Sequence, residues 1–487
     1  MGLRQIAARW TRQPPTTLPV DRDDFHRLPQ VLAELGVDVP PFDPRPLSTA
    51  DSNLRRWLAE LRVAVHDAGA AVVIEPPEPE LVELLRALAQ HVDPHNEALL
   101  LRLLGALTGG VFRGPHTFHL DVANACNVNC KYCWFHSPLS KNRKDIADFG
   151  SEWRQEMVAW DTFAALVDDL AELGTTEDIL LSGKGEPLLH PRCLEMVAYI
   201  KARGLGTTLF SNGVLVREEA RQALVEHGCD LLYVSLSSAS HPVYEAIHPG
   251  HPGQELDEVL DNVRALTELK RSRGRSTPRV MMVDVLCNSN AHEALAFYEQ
   301  ARAIGAEHVR FQLQHVQDYS RELQLRADQV EPLRAAIAEA QRRADAGGPT
   351  IVDNIHYQLE TLDVATGRWG HARTPDEGCY VGWTFSRSWT NGDVSFCCSP
   401  KVVDSLRDKR FGAIWTGPDY SAFRNAARYL QANGAVTFRN GAPLLGDHCA
   451  GCPNYEGVGK LAGDLERYGL SRFVRGRDGE RLRATDG

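Results

Sequence analysis

Three cysteines stand close together at Cys126, Cys130 and Cys133. Thiolates are the usual protein ligands of iron-sulfur clusters, and a short loop lets neighbouring thiolates converge on one cluster. Three ligands leave one iron of a four-iron cluster without a protein ligand, much as a catalytic metal site keeps one position open. The alternative is a zinc knuckle, for which His136 is the nearby candidate as fourth ligand, although zinc sites usually carry four ligands in pairs.

The spacing Cys-x-x-x-Cys-x-x-Cys, with Tyr132 directly before the last cysteine, resembles the cluster loop of radical S-adenosylmethionine (SAM) enzymes. The resemblance implies that the open iron binds the amino and carboxylate groups of SAM. It also implies that the reduced cluster cleaves SAM and that the resulting 5′-deoxyadenosyl radical abstracts a hydrogen atom from a substrate. The cofactors expected from it are SAM and a 4Fe-4S cluster, with flavodoxin or ferredoxin as electron donor.

Polar residues that follow the next predicted strands resemble the SAM-binding segments of the family. Gly183 to Pro187 is similar to the Gly-Gly-Glu-Pro segment that holds the SAM amino group, except that Lys184 stands where the first of those glycines is usual. The ends of the two following strands match positions that contact the ribose and methionine parts of SAM, although Ser, Asn and Gly also dominate ordinary turns. The resemblance assigns cofactor binding to Tyr132, Gly183, Lys184, Gly185, Glu186, Ser211, Asn212 and Ser235.

Alternating strands and helices from Thr117 onward are the elements that would position these loops. Six strands are predicted at 117–123, 177–182, 206–210, 231–236, 279–286 and 308–314. The helices predicted between them are 161–173, 192–203, 215–227, 254–271 and 292–304. Six βα units match the α/β fold that the resemblance implies, a partial (βα)6 TIM-like barrel, in which chemistry gathers at the carboxyl ends of the strands.

A second cysteine set lies near the C-terminus at Cys379, Cys397, Cys449 and Cys452. Asn391-Gly392 between apolar runs predicts a hairpin with Cys397 on its returning strand. A Cys, then Gly-x-x-x-x-Cys, then Cys-x-x-Cys resembles the first half of the SPASM and twitch extensions, which carry auxiliary 4Fe-4S clusters, so one auxiliary cluster is expected. A four-cysteine zinc site is the alternative. Cys398 is interpreted as a neighbour of these ligands.

Residues 1–112 read as helical, because Leu54, Trp57, Leu58, Leu61 and Val65 recur at helical spacing. A leader-peptide-binding module usually carries a three-stranded sheet, and only Ala70 to Ile74 is a strand candidate here. We therefore divide the chain into a helical N-terminal domain (1–112), a radical SAM barrel (113–315), a connecting segment (316–378), a small SPASM/twitch-like cluster domain (379–460) and a C-terminal tail (461–487).

Composition excludes some partners of the 487-residue chain. Its net charge of −11 argues against a nucleic acid, since such binding relies on clustered Lys and Arg. No apolar run reaches membrane-spanning length and no signal-peptide core is present, so we expect a cytoplasmic protein. Eleven cysteines in a reducing cytosol are expected as thiolates or metal ligands.

Two cluster sites together predict radical chemistry in which a cluster gives an electron to the substrate or takes one from it. Relatives of this kind oxidise or epimerise sugars and aminocyclitols, and we expect an oxidoreductase or epimerase acting on a carbohydrate or aminocyclitol-like natural product. Cys287, at the end of a predicted strand, and Cys398 are candidate catalytic thiols that could return a hydrogen atom. The alternatives are a maturase of a ribosomally made peptide, forming a crosslink or inverting a residue, and a non-enzymatic iron-sulfur or zinc protein.

Overall fold

The structure, a computed structural model, describes a large part of the chain. The described residues are 16–19, 65–67, 71–74, 97–108, 111, 113–142, 151–174, 177–352, 355–370, 378–446, 449, 452, 461, 463–468 and 470. No helix within these ranges is both long and apolar enough to cross a membrane.

Six parallel strands form the partial barrel and confirm the predicted fold class. They neighbour one another in chain order: β4 (Thr117–Asp121), β5 (Asp178–Ser182), β6 (Thr207–Ser211), β7 (Leu231–Ser235), β8 (Arg279–Leu286) and β9 (His308–Leu313). Because consecutive strands are parallel, all their carboxyl ends meet at one edge. The loops that carry the predicted site residues leave the barrel from that edge.

Amphipathic helices cover the outside of the barrel. Those between or directly after its strands are α3 (Trp160–Glu172), α4 (Cys193–Ala202), α5 (Glu218–His227), α6 (His241–Ile247), α7 (Gln254–Ser272), α8 (Ala294–Ala303) and α9 (Ala327–Asp345), whereas α1 (Glu97–Thr108) precedes β4 and α2 (Ser151–Gln155) lies in the connection from β4 to β5. In α3 the buried residues Phe163, Leu166, Val167 and Leu170 recur at helical spacing, which places one apolar stripe against the sheet. The barrel helices thus lie where apolar periodicity predicts them.

The C-terminal part continues the same sheet. Strand β11 (Phe385–Ser388) pairs in parallel with β4, and β12 (Asp393–Ser395) and β13 (Val402–Ser405) follow it antiparallel. The turn between β11 and β12 contains Gly392 at φ +87°, as the Asn-Gly signal predicts. Cys397 lies two residues beyond the end of β12, so its prediction on the returning strand is wrong. On the far edge, β10 (Thr350–Ile351) pairs with β9.

Further helices complete the described segments after the barrel. They are α10 (Ile355–Glu360), α11 (Val381–Thr384), α12 (Phe411–Trp415), α13 (Pro418–Ala427) and α14 (Leu430–Asn433). The ring of Phe411 meets that of Phe118 in β4 edge to face, with centroids 4.9 Å apart. One apolar core therefore extends from the barrel into the C-terminal part.

The N-terminal part contains more strand than the sequence predicts. Strands β1 (Thr16–Pro19), β2 (Val65–Asp67) and β3 (Ala71–Ile74) form an antiparallel sheet with β3 in the centre. Val65, counted in a helical stripe, begins β2, because spacing alone does not exclude a strand for a β-branched residue. The prediction of a helical N-terminal domain is therefore wrong for β1 and β2, whereas the strand candidate Ala70 to Ile74 corresponds to β3. Leu54 to Leu61 lie outside the described residues.

Candidate active site and auxiliary cluster site

The three clustered cysteines lie on the loop that follows β4, at the carboxyl edge of the barrel. Burial raises the pKa of Cys126 to about 12, and it also raises the pKa of Cys130 and Cys133. The charge of each neighbouring thiolate would raise the pKa of Cys130 further. Three converging buried thiols ionise only beside a strong positive charge, and a metal centre provides it. The loop therefore fits a cluster.

Backbone N–H groups and a histidine complete the surroundings of this loop. The N–H groups of Phe135 and His136 donate to Cys133 Sγ over 3.4 and 3.3 Å, and such bonds to sulfur tune cluster potentials. The Nε2 atom of His136 lies 2.9 Å from the backbone oxygen of Asn124. This contact holds the ring of His136 against the backbone beside the cluster loop.

The glycine-containing loop after β5 lies directly on the start of the cluster loop. The N–H of Gly185 donates to the oxygen of Ala123 over 3.0 Å, and the N–H of Glu186 donates to the oxygen of Ala125 over 2.7 Å. A Cβ atom at position 185 would lie 1.9 Å from the oxygen of Ala125. Only glycine permits this approach. The predicted SAM-binding loop and the predicted cluster loop thus form one unit.

Glu186 is the centre of a buried polar cluster that joins three of the predicted SAM-binding residues. Its carboxylate is 2% exposed and accepts hydrogen bonds from Ser211 Oγ at 2.9 Å, from the N–H of Asn212 at 2.8 Å and from the N–H of Leu188 at 3.2 Å. Burial raises the pKa of Glu186 to about 7. A buried carboxylate of this kind is stabilised by a cation, which is what an ammonium group offers.

Asn212 extends this cluster to the cysteine loop. Its side-chain nitrogen donates to Asn127 Oδ1 at 2.7 Å and lies 4.0 Å from Cys126 Sγ. The ends of β5 and β6 therefore meet the first cysteine, as the sequence predicts for residues that share one ligand.

Tyr132 and two serines form a second buried contact between the cluster loop and the barrel. The hydroxyl of Tyr132 donates to Ser237 Oγ at 3.0 Å, and Ser235 also contacts it. Ser237 adopts φ +57°, unusual for a residue other than glycine, and its Oγ accepts the N–H of Val285 at 2.8 Å. Ser237, to which the sequence assigns no role, thus fixes the ring of Tyr132 against β8.

Lys184 lies among aromatic rings beside the cluster loop. Its Nζ atom is 4.3 Å from the ring centroid of Trp389, 5.6 Å from that of Phe135 and 5.7 Å from that of Trp153. The guanidinium of Arg387 lies 4.0 Å from the same Trp389 ring. Burial lowers the pKa of Lys184. Position 184, usually glycine in the family motif, therefore contacts the C-terminal hairpin in this chain.

The two candidate catalytic thiols lie in different surroundings. Cys287 is 1% exposed in an apolar cluster with Tyr132, Val243 and Leu323, and burial raises its pKa to about 11. Cys398 forms a hydrogen bond with the neighbouring Cys397. The described contacts of Cys287 are those of a small buried apolar residue, so they lend no support to its predicted catalytic role.

A cavity in the C-terminal part brings the second cysteine set together. Five thiols line it together with a lysine: Cys379, Cys397, Cys398, Cys449, Cys452 and Lys401. Burial raises the pKa of Cys379, and Cys452 raises it further. Among the described residues, no three His, Cys, Asp or Glu side chains are arranged to hold a single metal ion. A cavity lined by several thiols suits an iron-sulfur cluster, which is larger than a single metal ion. Lys401 is a member that the sequence reading missed.

An ion pair links this part to the barrel. Arg387 Nη2 lies 2.6 Å from Asp121 Oδ1, and Arg387 Nη1 donates to the backbone oxygen of Cys398 at 3.4 Å. Asp121 is fully buried at the end of β4. No sequence motif points to this pair, because its partners stand far apart in the chain.

Two family descriptions match the chain. Residues 120–300 match the radical SAM superfamily, and residues 379–453 match the SPASM iron-sulfur cluster-binding domain. The chain is a radical SAM enzyme with a C-terminal SPASM domain. This radical SAM enzyme uses SAM and 4Fe-4S clusters, as predicted, and the SPASM match supports the auxiliary cluster over a zinc site.

Several known proteins are similar to this radical SAM enzyme. PqqA peptide cyclase of Xanthomonas campestris pv. campestris is 25% identical over 350 residues, which are 70% of this chain and 80% of that protein. The tungsten-containing aldehyde ferredoxin oxidoreductase cofactor-modifying protein of Pyrococcus furiosus is 30% identical over 120 residues, covering 24% of this chain and 30% of that protein. Streptococcus suis SuiB bound to SAM aligns with a TM-score of 0.49 at 13% identity, covering 72% and 74% of the two chains.

The prediction of a carbohydrate or aminocyclitol-like substrate is wrong. The relatives that cover most of this chain are PqqA peptide cyclases, including one of Gluconobacter oxydans at 26% identity. The prediction depended partly on finding only one N-terminal strand, whereas three are present. The number of auxiliary clusters does not distinguish a sugar from a peptide, because both can lose an electron to the same kind of cluster.

Proposed function

We propose that this protein is a maturase that forms a crosslink within a ribosomally made precursor peptide. The observation that carries the proposal is the similarity to a PqqA peptide cyclase, which extends over 70% of this chain and 80% of that protein. The electrons would come from flavodoxin or ferredoxin. Crosslinking removes two hydrogen atoms from the peptide, so it is oxidoreductase chemistry.

The residues of the barrel edge would hold the cofactors for this reaction. Cys126, Cys130 and Cys133 would ligate the first cluster, and SAM bound beside it supplies a radical that removes a hydrogen atom. The buried carboxylate of Glu186 would receive the SAM ammonium group, because its burial disfavours the charged form until a cation arrives. Ser211 and Asn212 fix the two oxygens of this carboxylate.

The N-terminal sheet supports a peptide over a small molecule. Its three antiparallel strands match the sheet that leader-peptide-binding modules usually carry. Strands β1 and β2 lie at the two edges of that sheet and pair only with β3 among the described residues. An extended peptide can add to such an edge through main-chain hydrogen bonds.

Epimerisation is the other peptide modification, and it needs a thiol that returns a hydrogen atom to the substrate. Cys287 is buried among apolar side chains, and Cys398 is hydrogen-bonded to Cys397 in the cluster cavity. Neither arrangement favours a donor thiol within reach of a peptide. We therefore propose crosslinking as the reaction.

The test is mass spectrometry of short peptides encoded beside the gene after reaction with the purified, reconstituted enzyme, SAM and a reductant in D2O and in H2O. A crosslink lowers the peptide mass by two hydrogen atoms in both solvents. An epimer keeps its mass in H2O and has one carbon-bound hydrogen replaced by deuterium in D2O, and in that case Cys287→Ala and Cys398→Ala would identify the donor. An unmodified peptide together with turnover of a sugar substrate would refute the maturase.

A further inference from the structure

Lys401 is a buried cation at the wall of the auxiliary cluster cavity. The residue is 8% exposed. Its Nζ atom donates to the backbone oxygen of Leu444 at 2.5 Å and to Cys449 Sγ at 3.5 Å. The short segment Cys397 to Lys401 brings it there, with the N–H of Phe396 donating to the oxygen of Lys401 at 2.9 Å. The ammonium therefore contacts a predicted cluster ligand directly.

The ammonium has no carboxylate beside it among the described residues that line the cavity. Among the described residues that line the cavity, Lys401 is the only charged side chain apart from the thiols. Arg387 reaches the same wall at the oxygen of Cys398, but its charge is paired with Asp121. A buried ammonium is costly without a negative partner.

We propose that Lys401 raises the reduction potential of the auxiliary cluster so that the cluster accepts an electron from the peptide. Crosslinking removes one hydrogen atom by abstraction and a second as a proton and an electron, and the electron needs an acceptor. Reduction adds a negative charge to a cluster that four thiolates already make anionic, and a nearby cation stabilises that charge. Lys401 thus acts on the cluster through its charge. The peptide as the source of the electron rests on the proposed function.

The experiment measures the midpoint potential of the auxiliary cluster by EPR-monitored titration. All samples carry Cys126→Ala, Cys130→Ala and Cys133→Ala in the full chain, so that only the auxiliary cluster contributes a signal. Lys401→Met should favour the oxidised form by about tenfold, equivalent to a potential lower by about 59 mV for one electron. Lys401→Arg, which keeps the charge, should lie between this variant and the parent protein.

Lys409 provides the matched control. It is exposed, its Nζ pairs with Asp404 at 2.7 Å, and neither residue lines the cavity. Lys409→Met should leave the potential unchanged. An unaltered potential in Lys401→Met at full iron content would overturn the proposal.

A second measurement covers the case in which Lys401→Met loses its cluster. Pulsed EPR of the reduced protein with ¹⁵N-labelled lysine should show a nitrogen coupling that disappears in Lys401→Arg. Absence of that coupling would refute the contact on which the proposal depends. Both measurements are made without peptide, so a shifted potential in a protein that modifies no peptide would refute only the maturase.

Discussion

Asp121 at the end of β4 and Arg387 in β11 form a buried ion pair between the barrel and the SPASM domain. Arg387 Nε and Nη2 lie 2.9 and 2.6 Å from Asp121 Oδ1. Asp121 Oδ2 has no hydrogen-bond partner in the described part of the chain. The pair connects strands whose carboxyl ends carry, respectively, the cluster loop and the auxiliary hairpin.

Breaking this pair should destabilise the fold strongly. Asp121→Asn leaves the Arg387 charge buried without a counter-charge, and losing one partner of such a pair costs about 3–5 kcal/mol. The free energy of unfolding in urea measures the effect. Glu195→Gln, which breaks the exposed pair with Arg192, should cost less than about 1 kcal/mol. Equal losses in the two variants would show that burial is not the cause.

Stability should depend on pH through Glu186. Its pKa in the folded protein is about 7, above the ordinary value of 4.5, so the folded state binds the proton more tightly. The stabilising contribution is fully present below the unfolded pKa and is lost as pH rises through the folded one, with a slope of at most about 1.4 kcal/mol per pH unit. Glu186→Gln should remove this dependence.

Urea unfolding of the SAM-free protein at about pH 4 and about pH 8, which lie below the unfolded pKa and above the folded pKa of Glu186, measures this dependence. A parent protein and a Glu186→Gln variant with the same change between these two values would contradict the assignment.

Gly185→Ala should disrupt the joint between the SAM-binding loop and the cluster loop. The added Cβ would lie 1.9 Å from the backbone oxygen of Ala125, and accommodating such overlap costs about 1–3 kcal/mol. We expect weaker SAM binding in equilibrium titrations of the reconstituted protein. Gly412→Ala is the control, because its Cβ would have a nearest neighbour at 4.0 Å. Unchanged SAM affinity in Gly185→Ala would argue against the loop as a SAM site.

Iron analysis should separate the two cysteine sets. The anaerobically reconstituted protein is expected to hold about eight irons, and the variant with Cys126, Cys130 and Cys133 replaced by Ala about four. That variant should also form no 5′-deoxyadenosine from SAM. Four irons with one zinc in the parent protein would instead assign the C-terminal set to zinc.

The sequence predicts the barrel well because its elements are local. Apolar periodicity locates the strands and helices, and parallel strands bring their carboxyl ends together whatever the details of packing. For the same reason Glu186, Ser211 and Asn212, which follow neighbouring strands, meet in the structure as expected. In the N-terminal part, β1 and β2 are only four and three residues long, so apolar periodicity does not predict them.

Long-range contacts could not be predicted in this way. The pairing of β11 with β4 joins segments more than 260 residues apart in the chain, and Asp121 and Arg387 are separated by 266 residues. No apolar periodicity in the sequence predicts such a pairing. Nothing in the sequence distinguishes Lys401 from other lysines, because only the fold brings its ammonium beside Cys449. Cys398, read as a neighbour of the ligands, lines the same cavity as they do.

The pairing of β11 with β4 has a consequence for turnover. Main-chain hydrogen bonds join the strand before the SAM-cleaving loop to the strand before the auxiliary hairpin, so a sheet holds the two redox centres at one spacing. A hinge motion between the two cluster sites would have to break these main-chain hydrogen bonds. Electron transfer over such a gap depends steeply on its width, and we expect this strand pairing to keep the width constant while substrates enter and leave.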